Sequence, residues 1–166
     1  MRVVRVLCVI LTSLLTLLAG TSMAQLMNRV EPIPGITSAG QPDQAALEAI
    51  AKEGFVAVID LRGAEENRGL DEKTVVESLG MRYVSLPIAT TDAMTYATAN
   101  SLDAILAEID GPVLLHCASG NRVGGVLALR ERLNGASADE AYALGLAGGM
   151  TSEGVKDVVR EQLDER

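Results

Sequence analysis

From about residue 43 the chain alternates short apolar runs with longer stretches whose apolar positions recur at helical spacing. Phe55-Val56-Ala57-Val58-Ile59 is an unbroken apolar run that gives way to Asp60-Leu61-Arg62-Gly63, the pattern of a strand buried on both faces. Tyr83-Val84-Ser85-Leu86, closed by Pro87, and Val113-Leu114-Leu115-His116, opened by a Gly111-Pro112 turn, predict two more strands. The spacing predicts helices between them over 43–52, 71–79 and 95–109. Three further helices are predicted after Cys117. The first runs over about 122–133 and stops at Asn134-Gly135. The second opens with the capping-box pattern Ser137-Ala138-Asp139-Glu140, and the third covers about 152–163. Strands separated by helices imply a single α/β domain with a mainly parallel central sheet and helices on both faces.

The first 24 residues read differently. Arg2 and Arg5 precede an apolar run over 6–19, and Thr21-Ser22-Met23-Ala24 supplies the small residues of a cleavage site. That run falls short of the ~20 residues a membrane-spanning helix needs. The expectation is a signal peptide over 1–24 and a mature domain over 25–166. It carries with it a periplasmic or secreted location and no stable membrane insertion after cleavage. Losing two arginines deepens the formal net charge from −8 to about −10. A surface of that sign excludes nucleic acid and anionic membranes as general partners.

The cysteine count sharpens the picture. Cys8 leaves with the leader, so Cys117 has no partner for an internal disulfide, and an odd thiol in an oxidising compartment calls for a reason. One Cys and one His do not make the usual zinc sites, so no metal and no cofactor are expected. In open α/β sheets ligands gather at the carboxyl ends of strands, where Cys117 falls. Ala118, Ser119, Gly120 and Asn121 form a loop of small residues whose backbone N–H groups can turn inward, and Arg122 opens the next helix. Loop amides, a helix N-terminus and a guanidinium together favour a central anion and the thiolate of Cys117. Gly124-Gly125 permits close packing of the helix's first turn. His116, adjacent on the strand, points to the opposite face and is therefore expected behind the loop, buried and hydrogen-bonded, rather than as a general base.

The stretch HCASGNR resembles the signature loop of cysteine-dependent phosphatases and of rhodanese-type sulfurtransferases. ITSAGQPDQAALEAIAKEGFVAVIDLR, over 36–62, resembles the phosphatase-like domain associated with β-lactamase hydrolase-like proteins, also labelled protein tyrosine phosphatase family or sulfurtransferase. The similarity spans about 30–135. It implies a dual-specificity-phosphatase-like α/β fold with Cys117 as nucleophile, Arg122 as oxyanion ligand and the 118–121 loop as substrate cradle. It also implies a general acid in the loop after the second strand, and Asp92 is the best match. An equal alternative makes Asp92 an acid near the start of the 95–109 helix. Asp60 is a weaker candidate acid and is expected instead to tie down loop amides or pair with Arg62. Gln41, in the Gly40-Gln41-Pro42 turn, is expected at the mouth of the site.

Two features depart from the tyrosine phosphatase pattern. Four residues separate Cys117 from Arg122 where those enzymes have five, as in the rhodanese loop, and Val123 stands where they commonly carry Ser or Thr. Three readings follow. The first is a phosphatase acting on a small phosphomonoester or a phosphoprotein. The second is a sulfurtransferase carrying a persulfide on Cys117, and the third is a non-catalytic anion-binding module. The acid pairs Glu65-Glu66 and Asp71-Glu72 are expected to be solvated surface, 141–147 a core helix without chemistry, and 161–166 a frayed end.

Overall fold

A computed structural model describes residues 26–165. The expected leader lies outside the described residues. The chain opens with a hairpin, β1 (Val30–Ile33) and β2 (Ile36–Ala39), followed by α1 (Gln44–Lys52), β3 (Ala57–Asp60), α2 (Glu72–Ser78) and β4 (Arg82–Ser85). A short 3₁₀ turn (Thr91–Ala93) precedes α3 (Tyr96–Ala107) and β5 (Val113–His116). Three helices complete the domain, α4 (Asn121–Leu133), α5 (Ala138–Ala147) and α6 (Glu153–Asp164). The sheet order is β1-β2-β5-β3-β4. All neighbours are parallel except β1 with β2. This is the mainly parallel α/β sheet the pattern predicts.

Both faces of the sheet are covered, and the apolar runs are unbroken for that reason. Ala57, Ile59, Val113 and Leu115 join one core with residues of α3 to α6, whereas Val58 and Leu114 join the other with Leu47 and Ile50 of α1 and Val76 of α2. The hairpin was not apparent from the pattern. Its β2 strand, Ile-Thr-Ser-Ala, is fully buried although half of it is polar. The hydroxyl of Ser38 donates to the Gly148 carbonyl at 2.6 Å, so the burial is satisfied by a residue 110 positions away.

Caps set the helix boundaries. Asp43, Asp71 and Thr95 each accept from the backbone N–H of the third residue onward, and Ser137 with Glu140 forms the expected reciprocal capping box. Asp92 does not cap α3, since Thr95 fills that role itself. The C-terminal helix departs from expectation. Leu163 is buried, Tyr96 Oη donates to the Gln162 carbonyl at 3.0 Å, and the Gln162 side chain donates to the Met94 carbonyl. Packing onto α3 and its entry turn therefore keeps α6 intact through Asp164, where composition predicts fraying.

Candidate active site

β5 runs between β2 and β3 at the centre of the sheet and delivers Cys117 at its carboxyl end, where the sulfur is buried. Ala118 and Ser119 carry the chain across the end of β2, with Gly40 opposite Ser119 and the Gln41 amide donating to the Ala118 carbonyl at 3.2 Å. A Cβ on Gly40 would meet that carbonyl at 3.1 Å, so turn and loop approach closely here. Gly120 caps α4 with a left-handed φ of 91°, and its N–H donates to Cys117 Sγ at 3.1 Å.

Arg122 stands in the first turn of α4. Its guanidinium grips Glu66 with two parallel bonds, Nη1 to Oε1 and Nη2 to Oε2 at 2.7 Å, and donates from Nη1 to the Ile88 carbonyl at 2.9 Å. The Glu66 hydrogen bond raises the Arg122 pKa against the opposing effect of burial, and the nearby Cys117 adds to it. Arg122 in turn holds Glu66 below the usual carboxylate range. Glu66 also accepts from the Gly63 N–H at 2.8 Å, which anchors it to the turn after β3. Glu66 is thus a partner of Arg122 and not the solvated surface its sequence neighbours predict. Glu65 beside it is exposed, and nothing local distinguishes the two acids.

Asn121 uses its side chain to join helices. Its Oδ1 accepts from the backbone N–H groups of Thr151 and Ser152 at 2.7 and 2.6 Å, and its Nδ2 donates to Ser119 Oγ at 3.2 Å. Its own backbone N–H lies at the first position of α4, where a helix leaves N–H groups without intrahelical partners.

Behind the loop lies a buried charge network. Asp60 accepts from the Arg62 N–H and Nε at 2.9 Å, from Arg68 Nε at 2.8 Å and from the Tyr83 hydroxyl at 3.0 Å. Glu72 meets the Arg62 guanidinium on one oxygen and lies 2.6 Å from His116 Nε2 on the other. Burial alone would raise the Asp60 carboxyl, but hydrogen bonds from Arg62 and the charge of His116 outweigh it and hold the group at about 2. Asp60 thus pairs with Arg62, as expected, and its oxygens are taken up by Arg62, Arg68 and the Tyr83 hydroxyl. Burial and the Asp60 charge push the Tyr83 phenol up to about 12. Glu72 is a second correction. It is fully buried although Asp71-Glu72 reads as a surface pair, and Asp71 alone stays exposed, as the α2 cap. His116 is buried on the α2 side, with Nδ1 3.5 Å from the Cys117 carbonyl. Asp60, Glu72 and His116 each offer one atom within 4.8 Å of the others, a spacing a cation could use. The Arg62 guanidinium already bridges both carboxylates and Arg68 pairs with Asp60, so two guanidiniums answer the two acids.

Asp92 sits exposed in the 3₁₀ turn, and among the described residues its carboxylate makes no hydrogen bond or ion pair. Its loop begins at Ile88, whose carbonyl holds Arg122. Gln41 reaches past the mouth, its Nε2 donating to the Arg68 carbonyl at 2.8 Å. Arg68 links the network to the Glu66 turn, binding Asp60 and also the carbonyls of Glu66, Arg62 and Gly63 at 3.1 to 3.3 Å.

A cysteine at the carboxyl end of the central strand, a glycine-capped helix and an arginine in its first turn define a phosphatase-like α/β domain. Residues 32–134 match the family described as the phosphatase-like domain of beta-lactamase hydrolase-like protein, and the chain belongs to that family. A beta-lactamase hydrolase-like protein of Agrobacterium fabrum is 32% identical over 104 residues, covering 60% of this chain and 24% of the relative. The chain spans about a quarter of the length of the curated relatives it matches. Among solved structures, a candidate phosphatase from Neisseria meningitidis z2491 superposes with a TM-score of 0.68 at 20% identity, covering 80% of this chain and 96% of the other. A kinase associated phosphatase with its catalytic-site cysteine replaced by serine gives 0.63 at 13% identity, over 88% and 99%.

Proposed function

We propose that this protein is an exported hydrolase that cleaves phosphomonoesters through a covalent intermediate on Cys117. The Cys117 thiolate attacks phosphorus, forming the S–P bond as the P–O bond to the leaving group breaks. The N–H groups of the 118–121 loop and the Arg122 guanidinium carry the equatorial oxygens, and Asp92 gives its proton to the departing oxygen. Water then cleaves the S–P bond, releasing phosphate and restoring the thiolate. The observation that carries this reading is the Gly120 N–H on Cys117 Sγ beside a nearby Arg122 that Glu66 and the Ile88 carbonyl hold in place. His116, Asp60 and Gln41 support the loop from behind and beside it. The substrate is a small phosphorylated molecule or a phosphoprotein met outside the cytoplasm, the location the 1–24 leader supports.

One observation favours a second reading. The loop holds four residues between Cys117 and Arg122, and Val123 offers no hydroxyl to a departing thiolate. Such a ring suits a persulfide, with Cys117 taking a sulfane sulfur from a donor and passing it to an acceptor thiol. Reduced protein incubated with an aryl phosphate, or with thiosulfate and cyanide, separates the two. The phosphatase reading predicts phosphate release that Cys117→Ser abolishes and that Asp92→Asn lowers by ~10²–10⁴-fold. Cys117-dependent thiocyanate without phosphate would establish the second reading in its place.

A further inference from the structure

A peptide unit is planar and trans, so its N–H and C=O point to opposite sides. A loop that turns N–H groups inward must turn the matching carbonyls outward, and those carbonyls then need donors. The Ala118 carbonyl has the Gln41 amide, and the Gly120 carbonyl has the Gly124 amide at 3.1 Å inside α4. The Ser119 carbonyl is served by a side chain 91 positions away, the Nδ2 of Asn28 at 3.0 Å. The N–H of that same peptide belongs to Gly120 and is the one that donates to Cys117 Sγ at 3.1 Å. Asn28 and the sulfur therefore hold opposite ends of one peptide unit.

The backbone around Asn28 is arranged for this contact. Among the described residues, Asn28 is the only one other than glycine with a positive φ, 56°, a conformation that asparagine tolerates better than most side chains. The chain is pinned on both sides of it. Leu26 is buried against the α1 side of the sheet, the Met27 carbonyl accepts from the Gly40 N–H at 2.7 Å, and Arg29 forms a bidentate pair with Glu53. The turn at Asn28 aims its amide across the end of β2 at the loop.

We propose that Asn28 is a positioning residue for the Cys117 site, fixing the Ser119–Gly120 peptide so that its N–H faces the sulfur and the bound oxyanion. The proposal rests on the reading of the loop as an oxyanion cradle. Asn28→Gly keeps the left-handed backbone without the amide, and Asn28→Asp keeps the size without the donor. The experiment measures alkylation of Cys117 by iodoacetamide in the purified, reduced protein against rising inorganic tungstate, together with turnover of an aryl phosphate. Tungstate protects the wild type. Both variants are expected to need roughly three- to tenfold more tungstate for half-protection, the scale of one hydrogen bond. They are also expected to lower kcat more than they raise KM, at an unchanged melting temperature. Half-protection equal to wild type in both variants would overturn the proposal and leave the cradle standing. A loss of protection that merely follows a loss of melting temperature would overturn it as well. Failure of tungstate to protect the wild type would overturn the cradle and the proposal together.

Discussion

Arg122 is committed to Glu66 before any ligand arrives. Two parallel bonds and the Ile88 carbonyl leave its guanidinium little freedom, so its remaining donors are oriented in advance. Glu66→Gln puts an amide nitrogen against one guanidinium nitrogen. It is expected to lower kcat/KM by roughly 10- to 10²-fold with the melting temperature little changed, as steady-state kinetics beside a thermal scan would register. An unchanged kcat/KM would mean that Arg122 is aligned by the backbone alone. The placement of Cys117, Arg122 and His116 was legible because it follows from one contiguous stretch at a strand end. Glu66 and Glu72 were not. Each answers an arginine brought close by the fold, Arg122 for Glu66 and Arg62 for Glu72, and a carboxylate's immediate sequence neighbours carry no trace of such a partner. Asn28 escaped for the same reason.

Among the elements, α4 carries the site and is the most enclosed, with every residue from Val123 to Leu129 buried. A Cβ on Gly124 would lie 2.4 Å from the Gly145 carbonyl and 2.5 Å from the Met150 nitrogen, both backbone atoms that cannot swing aside. Gly124→Ala should therefore destabilise by about 1–3 kcal/mol or more in chemical denaturation, through overpacking of α4 against α5. Gly154→Ala is the matched control, since a Cβ there meets nothing within 4 Å, and it should be neutral or stabilising by up to about 1 kcal/mol. Equal effects of the two would refute a tight α4–α5 contact. The helices were readable because their caps are local chemistry. β1 and β2 were not, since Ile36 to Ala39 owes its burial to strands and a loop far along the chain rather than to its own alternation.

At the scale of the molecule, the buried network ties β3, α2, β4 and β5 together behind the loop through Asp60, Glu72, Tyr83 and His116. Asp60 titrates at about 2 in the fold against an ordinary 3.8, so between those values the unfolded chain binds more protons and stability rises with pH. The contribution, on the order of 2 kcal/mol, is fully present above about pH 4–5 and is lost as pH falls toward 2. Denaturant unfolding from pH 7 down to 2.5 should show that loss, and Asp60→Asn should be most destabilising at pH 7 and progressively less so in acid. A destabilisation independent of pH would remove the ionised Asp60 from the account. Net charge, by contrast, is read from composition alone, because it does not depend on the fold.

Acid-quenched turnover of an aryl phosphate, followed by peptide mass spectrometry, detects a phosphoryl group carried on Cys117. A phosphoryl adduct is expected on the peptide holding Cys117 in the wild type, longer-lived when hydrolysis is slowed and absent from Cys117→Ser. Phosphate release with no adduct on Cys117, or release that survives Cys117→Ser, would contradict a covalent intermediate on Cys117.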